Sequence, residues 1–152
     1  MEGYINNPTE TENILKKHKD GKMWIHSGDL GYISENGFIH ISGRLKRYML
    51  CIKNGVQKKV FSHDIEKELL KHQGVENCAV VPIEDVEVNQ VPVAYIIPKA
   101  NIDKVKLEIE LGILCGSNLV DVYRTVRYIF VDSFPRTKVG KVDYLTLEQQ
   151  AK

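Results

Sequence analysis

The stretch SHDIEKELLKHQGVENCAVV, Ser62 to Val81, changes from a helical to a strand-like pattern and decides the fold. Ser62 is a residue type that caps helix N-termini. Asp64 and Glu66 stand in the first turn and Lys71 and His72 in the last, each sign at the end of the helix dipole that favours it. Ile65 and Leu69 share a face with Leu70 beside them, and Gly74 is expected to stop the helix. VENCAVVPI then reads as a β-rich run. A second run, VPVAYIIP, follows after the acidic loop EDVEVNQ. Further on, Asp103 is placed to cap another helix, with Leu107, Leu111 and Leu114 at helical spacing. VRYIFV reads as a strand and YLTLEQQAK as a short final helix. Upstream, YMLCI reads as a buried strand and KNG as a turn. From residue 48 the order is strand, helix, strand, strand, helix, strand, loop. That order predicts an α+β domain, a small sheet covered by helices.

The residues before this domain read as an appendage. Thr9 and Glu12 have capping-box spacing and predict a helix over 10–17, with a turn at Asp20-Gly21. MWIHSGDLGYI reads as strand, tight turn, strand. Leu30–Ile33 and Phe38–Ser42 are expected to pair as a hairpin turning at Asn36-Gly37. This part holds too few apolar residues for a core of its own. RLKR after it reads either as a linker or as a solvated charge run.

Composition excludes several function classes. Twenty-one Lys+Arg against twenty Asp+Glu leave a net charge of +1 over 152 residues, which gives no electrostatic footprint for nucleic acid or an anionic membrane. No apolar run approaches the roughly 20 residues that span a bilayer. Cys51, Cys78 and Cys115 are odd in number and form no CxxC pair, so they read as buried thiols in a reducing, cytoplasmic setting. The five histidines are scattered, and no metal site is expected.

The segment FPRTKVGKVDY, Phe134 to Tyr144, is poor core material and suits a side chain that reaches outward. Its Gly140-Lys141 pair does not belong to a P-loop. The position five before Gly140 is Pro135, and Val142 stands where a hydroxyl residue would hold magnesium. Gly21-Lys22 shows how easily such a pair arises in a plain turn. From the residues alone the reading stops at an α+β domain with an exposed basic loop.

Several stretches in order resemble the C-terminal part of the acyl-adenylate-forming enzymes, the superfamily of acyl-CoA synthetases, firefly luciferase and peptide-synthetase adenylation domains. GYINNPTET is similar to the end of the family's large domain, and WIHSGDLGYISENGFIHISGRLKR resembles its aspartate, hairpin and Gly-Arg segment. SHDIEKELLKHQGVENCAVV and VPVAYIIPK resemble the helix and strands that follow, and YIFVDSFPRTKVGKVDY the terminal lysine motif. The resemblance implies two half-reactions. A carboxylate attacks the α-phosphate of ATP to give acyl-AMP and pyrophosphate, and coenzyme A then displaces AMP. The obstacle is bringing two anions together: at ~4 Å two unit charges repel by about 4 kcal/mol at an effective dielectric of 20. A cation between them reverses the sign, and lysine supplies a compact charge on a long stem.

By this resemblance Lys141 matches the adenylation lysine, with Gly140 allowing close backbone approach and Pro135 stiffening the loop. Asp29 matches the aspartate that accepts from the ribose hydroxyls, and Arg44 the arginine that contacts ribose and phosphate. Lys46 matches the hinge residue, and Lys53-Asn54-Gly55 the turn that faces the thiol tunnel and would bind CoA. The implied division is 1–44 as the tail of a large N-terminal domain, 45–47 as the hinge and 48–152 as the lid. The phosphate loop, the acid pocket and the magnesium-holding residue belong to that large domain. The chain is thus expected to be a C-terminal fragment, inactive alone, of an acyl-CoA synthetase. ATP with Mg2+, CoA and a carboxylic acid would be its ligands and its own large domain its partner. An adenylation domain of peptide-synthetase type and a non-catalytic interaction module with the same fold remain open. Lys138, where many members carry proline, reads as solvated.

Overall fold

A computed structural model describes residues 1–45, 47–119 and 127–152. The chain divides into two compact units, Met1–Lys46 and Arg47–Lys152.

The first unit runs through helix α1 (Pro8–Ile14) and strands β1 (Leu15–Lys17), β2 (Met23–Ile25), β3 (Asp29–Ile33) and β4 (Ile39–Arg44). The expected helix over 10–17 is displaced. Asn7 rather than Thr9 caps it, its side chain accepting from the Glu10 amide, and Pro8 takes the first turn, where a missing N–H costs nothing. Residues 15–17 leave the helix and pair antiparallel with β2. This pairing brings together two histidines that look scattered in the sequence, His18 Nε2 lying 2.8 Å from His26 Nε2. The expected hairpin forms between β3 and β4, from Asp29↔Arg44 to Ile33↔Ile39, with Gly37 at φ +81° in its turn. Gly31 is required by crowding, since a Cβ there would lie 2.5 Å from the His40 carbonyl oxygen. None of residues 1–41 and 43–45 is buried, in keeping with a unit that holds too few apolar residues for a core of its own.

The second unit contains β5 (Tyr48–Lys53), β6 (Val56–Phe61), α2 (Ser62–Leu69), β7 (Val75–Asp85), β8 (Asn89–Pro98), α3 (Lys104–Asn118), β9 (Arg127–Phe130) and α4 (Tyr144–Ala151). The architecture is the expected α+β one, with one strand more than the sequence suggests. Strand β6 pairs with β5 across a two-residue turn whose Asn54 and Gly55 both have positive φ, the geometry such hairpins favour. Of its residues only Val60 is fully buried, so VQKKVF shows no alternation to read. Helix α2 also differs from expectation. Ser62 is its first helical residue, not its cap, and the helix ends at Leu69. Lys71 and His72 therefore lie beyond it and pair with Glu68 and Glu110. Gly74 answers to packing, since a Cβ would stand 3.1 Å from a Leu107 methyl.

Strands β7, β8 and β9 form one sheet in that order, β8 antiparallel to β7 and parallel to β9. Side chains alternate across it. Cys78, Val80, Ala94 and Ile96 join Ile65, Leu69, Leu107, Leu111 and Cys115 of α2 and α3, with Met49 and Val60 of the β5–β6 ribbon. Ala79, Val81, Val93 and Tyr95 face the other way and pack with Phe134, Leu147 and Ala151. The Tyr95 hydroxyl donates to the Leu147 carbonyl at 3.0 Å, tying α4 to the sheet.

Leu111 is fully buried, so Leu111→Ala is expected to lower stability by about 2–5 kcal/mol, read from urea unfolding. All three cysteines are buried, and burial pushes the Cys78 thiol up to about 12. A thiol reagent at pH 8 is expected to modify none of them in the native chain and all three in guanidinium.

Candidate functional site

Within the first unit, the β3–β4 register sets Asp29 opposite Arg44, and Arg44 Nε lies 3.1 Å from Asp29 Oδ1. The pair is solvent-accessible, the arginine side chain 63% exposed and the aspartate 32%. An exposed pair of this kind adds little stability, about 0–1 kcal/mol. Its value is that a carboxylate and a guanidinium stand side by side with oxygens and N–H groups to spare. The turn before Asp29 is held locally. The Asp29 amide donates to Ser27 Oγ at 3.2 Å, and the Leu45 amide to the Gly28 carbonyl at 2.7 Å. Beside it is a cleft of about 340 Å³ whose lining includes Glu10, Lys16, His26, Ser27, Gly28 and Arg44.

Within the second unit, Lys141 leaves a tight hairpin loop. The Gly140 amide donates to the Thr137 carbonyl at 2.9 Å, and the Thr137 amide to the Lys141 carbonyl at 2.7 Å. Arg136 and Val142 pair beyond them. This is the three-residue hairpin loop that ends in a left-handed glycine, and Gly140 has φ +79°. Arg136 Nη1 closes the loop from outside by donating to the Gly140 carbonyl at 2.8 Å. Lys141 itself is exposed, and among the described residues its ammonium has no ion pair or hydrogen bond. Lys138 is exposed as well. Thr137 Oγ1 is buried with no hydrogen-bond partner among the described residues.

Asn54 and Gly55 form the tip of the β5–β6 ribbon, immediately after Lys53. The ribbon lies beside the β7–β8 turn: the Ile52 amide donates to the Val88 carbonyl at 2.8 Å, and Asn89 Nδ2 to the Leu50 carbonyl at 2.7 Å. Lys46 lies outside the described residues. Among those described, no three His, Cys, Asp or Glu side chains come together to ligate a metal.

Sequence reasoning missed one polar cluster. Arg47 Nη2 lies 2.5 Å from Glu66 Oε1, which also accepts from the Val80 amide at 2.9 Å. The Arg47 guanidinium stands over the Tyr144 ring, 3.8 Å from its centre. Burial pushes the Glu66 carboxyl up, while Arg47 and the Val80 amide pull it back. Burial likewise raises the Tyr144 phenol. The signal was present in the spacing. Ser62, Ile65, Glu66 and Leu69 form the i, i+3, i+4, i+7 stripe of α2, so Glu66 had to face inward.

The family model for the AMP-binding enzyme C-terminal domain matches residues 64–141. A 4-coumarate–CoA ligase-like protein of Arabidopsis thaliana is 36% identical over 145 residues, covering 93% of this chain and 24% of the relative. A 4-coumarate–CoA ligase of Oryza sativa subsp. japonica is 33% identical over 142 residues, with 93% and 24% covered. The chain thus spans about a quarter of the length of these relatives. Among solved structures, the amide bond synthetase McbA from Marinactinospora thermotolerans superposes with a TM-score of 0.83 at 27% identity, over 100% of this chain and 29% of that one. ATP-bound MatB from Rhodopseudomonas palustris gives 0.77 at 28%, over 99% and 28%.

The loop geometry makes Gly140 and Gly112 opposite cases. Neither would have a Cβ within 4 Å of a neighbour, yet only Gly140 has positive φ. Gly140→Ala is expected to cost about 1–2 kcal/mol in urea unfolding. Gly112→Ala, in the middle of α3, is expected to stabilise by roughly 0.5–1 kcal/mol.

Proposed function

We propose that this chain, which belongs to the family of AMP-binding enzyme C-terminal domains, is the C-terminal part of an AMP-forming acid–thiol ligase. Its second unit is the lid that carries the adenylation lysine. The observation that carries this reading is Lys141, exposed and, among the described residues, without a side-chain partner at the end of a loop whose backbone is fixed by Gly140. An unpaired ammonium on a firm base is what a site needs if it is to bridge an incoming carboxylate and the α-phosphate of ATP. A salt-bridged lysine would have to break its pair first.

In this reading Asp29 accepts from the ribose hydroxyls with the oxygen that Arg44 leaves free. Arg44 turns its remaining N–H groups toward ribose and phosphate. The cleft beside the pair, with Gly28 and Ser27 in its wall, supports nucleotide binding there. The division of the chain at 46/47 supports a hinge over 45–47, with Lys46 as the residue that turns between the half-reactions. The Lys53-Asn54-Gly55 turn would then face the CoA thiol, a reading supported by the exposure of Asn54 and Gly55 at the ribbon tip. Magnesium is assigned to no residue of this chain and belongs with the phosphate-binding part of the longer enzyme. The acid is left as a carboxylic acid, because its pocket also lies there. Three buried thiols that form no disulfide support a cytoplasmic setting.

The test separates the half-reactions in the full-length ligase. Lys141→Ala is expected to slow acyl-adenylate formation by at least about a hundredfold, the scale of losing one charge-stabilising group. Thioester formation from supplied acyl-AMP should stay within about threefold. Pyrophosphate exchange reads the first and CoA-thioester release the second. Unchanged pyrophosphate exchange would remove Lys141 from the mechanism.

A further inference from the structure

A charge that acts by position needs its loop fixed at both ends. At the entry, Phe134 is buried against the sheet. At the exit stand three side chains the assigned roles do not use. Tyr144 is the first residue of α4 and follows Lys141 by three positions. The Arg47 guanidinium covers its ring at 3.8 Å and reaches Glu66 at 2.5 Å. Glu66 in turn holds the Val80 amide of the central sheet. One guanidinium, its side chain 28% exposed, therefore links the first residue of the second unit to α2, β7 and the start of α4.

We propose that Arg47 and Tyr144 form a clamp that positions Lys141. The clamp joins the point where the chain enters the second unit to the exit of the lysine loop, so that the loop moves with the unit as one body. Asp143 cooperates by capping α4, its carboxylate accepting from the Thr146 amide and hydroxyl. That cap fixes where the helix starts, whereas the stacked guanidinium fixes how its first turn is rotated. A lysine stem magnifies any rotation at its base, so a loosened clamp displaces the ammonium while leaving the fold intact. The inference rests on the reading of Lys141 as the adenylation lysine. Arg47 and Tyr144 are positioning residues in it and touch no substrate.

The test uses the full-length ligase with Tyr144→Leu, which keeps apolar bulk but removes the ring face, and Tyr144→Phe, which keeps the face. Tyr144→Leu is expected to slow pyrophosphate exchange by about tenfold at saturating ATP, with KM for ATP within about twofold. Thioester formation from supplied acyl-AMP should change by less than about twofold, and Tyr144→Phe should retain exchange within about twofold. Arg47→Lys, which keeps the charge but loses the flat stacking surface, should fall between them and serves if Tyr144→Leu does not fold. A merely structural role would slow both half-reactions alike, and that outcome overturns the clamp. So does a loss in Tyr144→Phe as large as in Tyr144→Leu. Lys141→Ala measured alongside separates the two ideas. If it keeps full exchange, the assignment of Lys141 fails; if it loses exchange while Tyr144→Leu does not, only the clamp fails.

Discussion

The constraint on which the second unit depends is that its three-stranded sheet buries both faces. Beyond a bulge at Val75–Asn77, strand β7 alternates, Cys78 and Val80 to one side and Ala79 and Val81 to the other, and β8 does the same with Ala94 and Ile96 against Val93 and Tyr95. A sheet of this kind must be covered twice. Helices α2 and α3 cover one face. The other is left to whatever follows β9, and here that is Phe134, a loop and α4. The exposed loop is therefore pinned from beneath: Phe134 before it and Leu147 after it belong to the same buried cluster. Residues 135–141, none of which joins that cluster, are held in place by it.

Much of this was legible in the sequence, for reasons that differ from element to element. Helix α3 was read with its cap because Asp103 accepts from two amides and Leu107 and Leu111 hold a single face. Strands β7 and β8 were legible because their runs are rich in β-branched residues, Val80, Val81 and Ile83 in one and Val91, Val93, Ile96 and Ile97 in the other. Strand β6 was not, because a mostly exposed strand that buries Val60 alone leaves no pattern. The Asn54-Gly55 turn announced it, since two positive-φ residues in a row imply a strand on either side. The first unit misled at its start, where Asn7 followed by Pro8 outcompeted Thr9 as a cap.

The candidate site was legible only in part, and the division is physical. Asp29, Arg44 and Lys141 are exposed polar residues, and no periodicity marks such residues; ordered resemblance alone singled them out. The pairing of Asp29 with Arg44 follows from strand register once the hairpin is granted. The Arg47–Glu66–Tyr144 cluster needed tertiary structure, because its members lie far apart in sequence. Only Glu66 betrayed itself, as a carboxylate on an apolar stripe.

The two arginines that flank residue 46 in the sequence illustrate how burial sorts similar groups. Arg44 pairs with Asp29 in the open, where solvent screens the attraction and either partner is free to turn to a ligand. Arg47 pairs with Glu66 where desolvation is costly enough to raise the carboxyl against the pull of its partner. Removing one member of such a pair strands the other, so the pair behaves as a fixed joint rather than a reserve of binding energy. Exposed charge on one side and fixed charge on the other suits a chain that must present Lys141 without letting it wander. Firmness comes from groups withdrawn from water, and reach comes from an ammonium left in it.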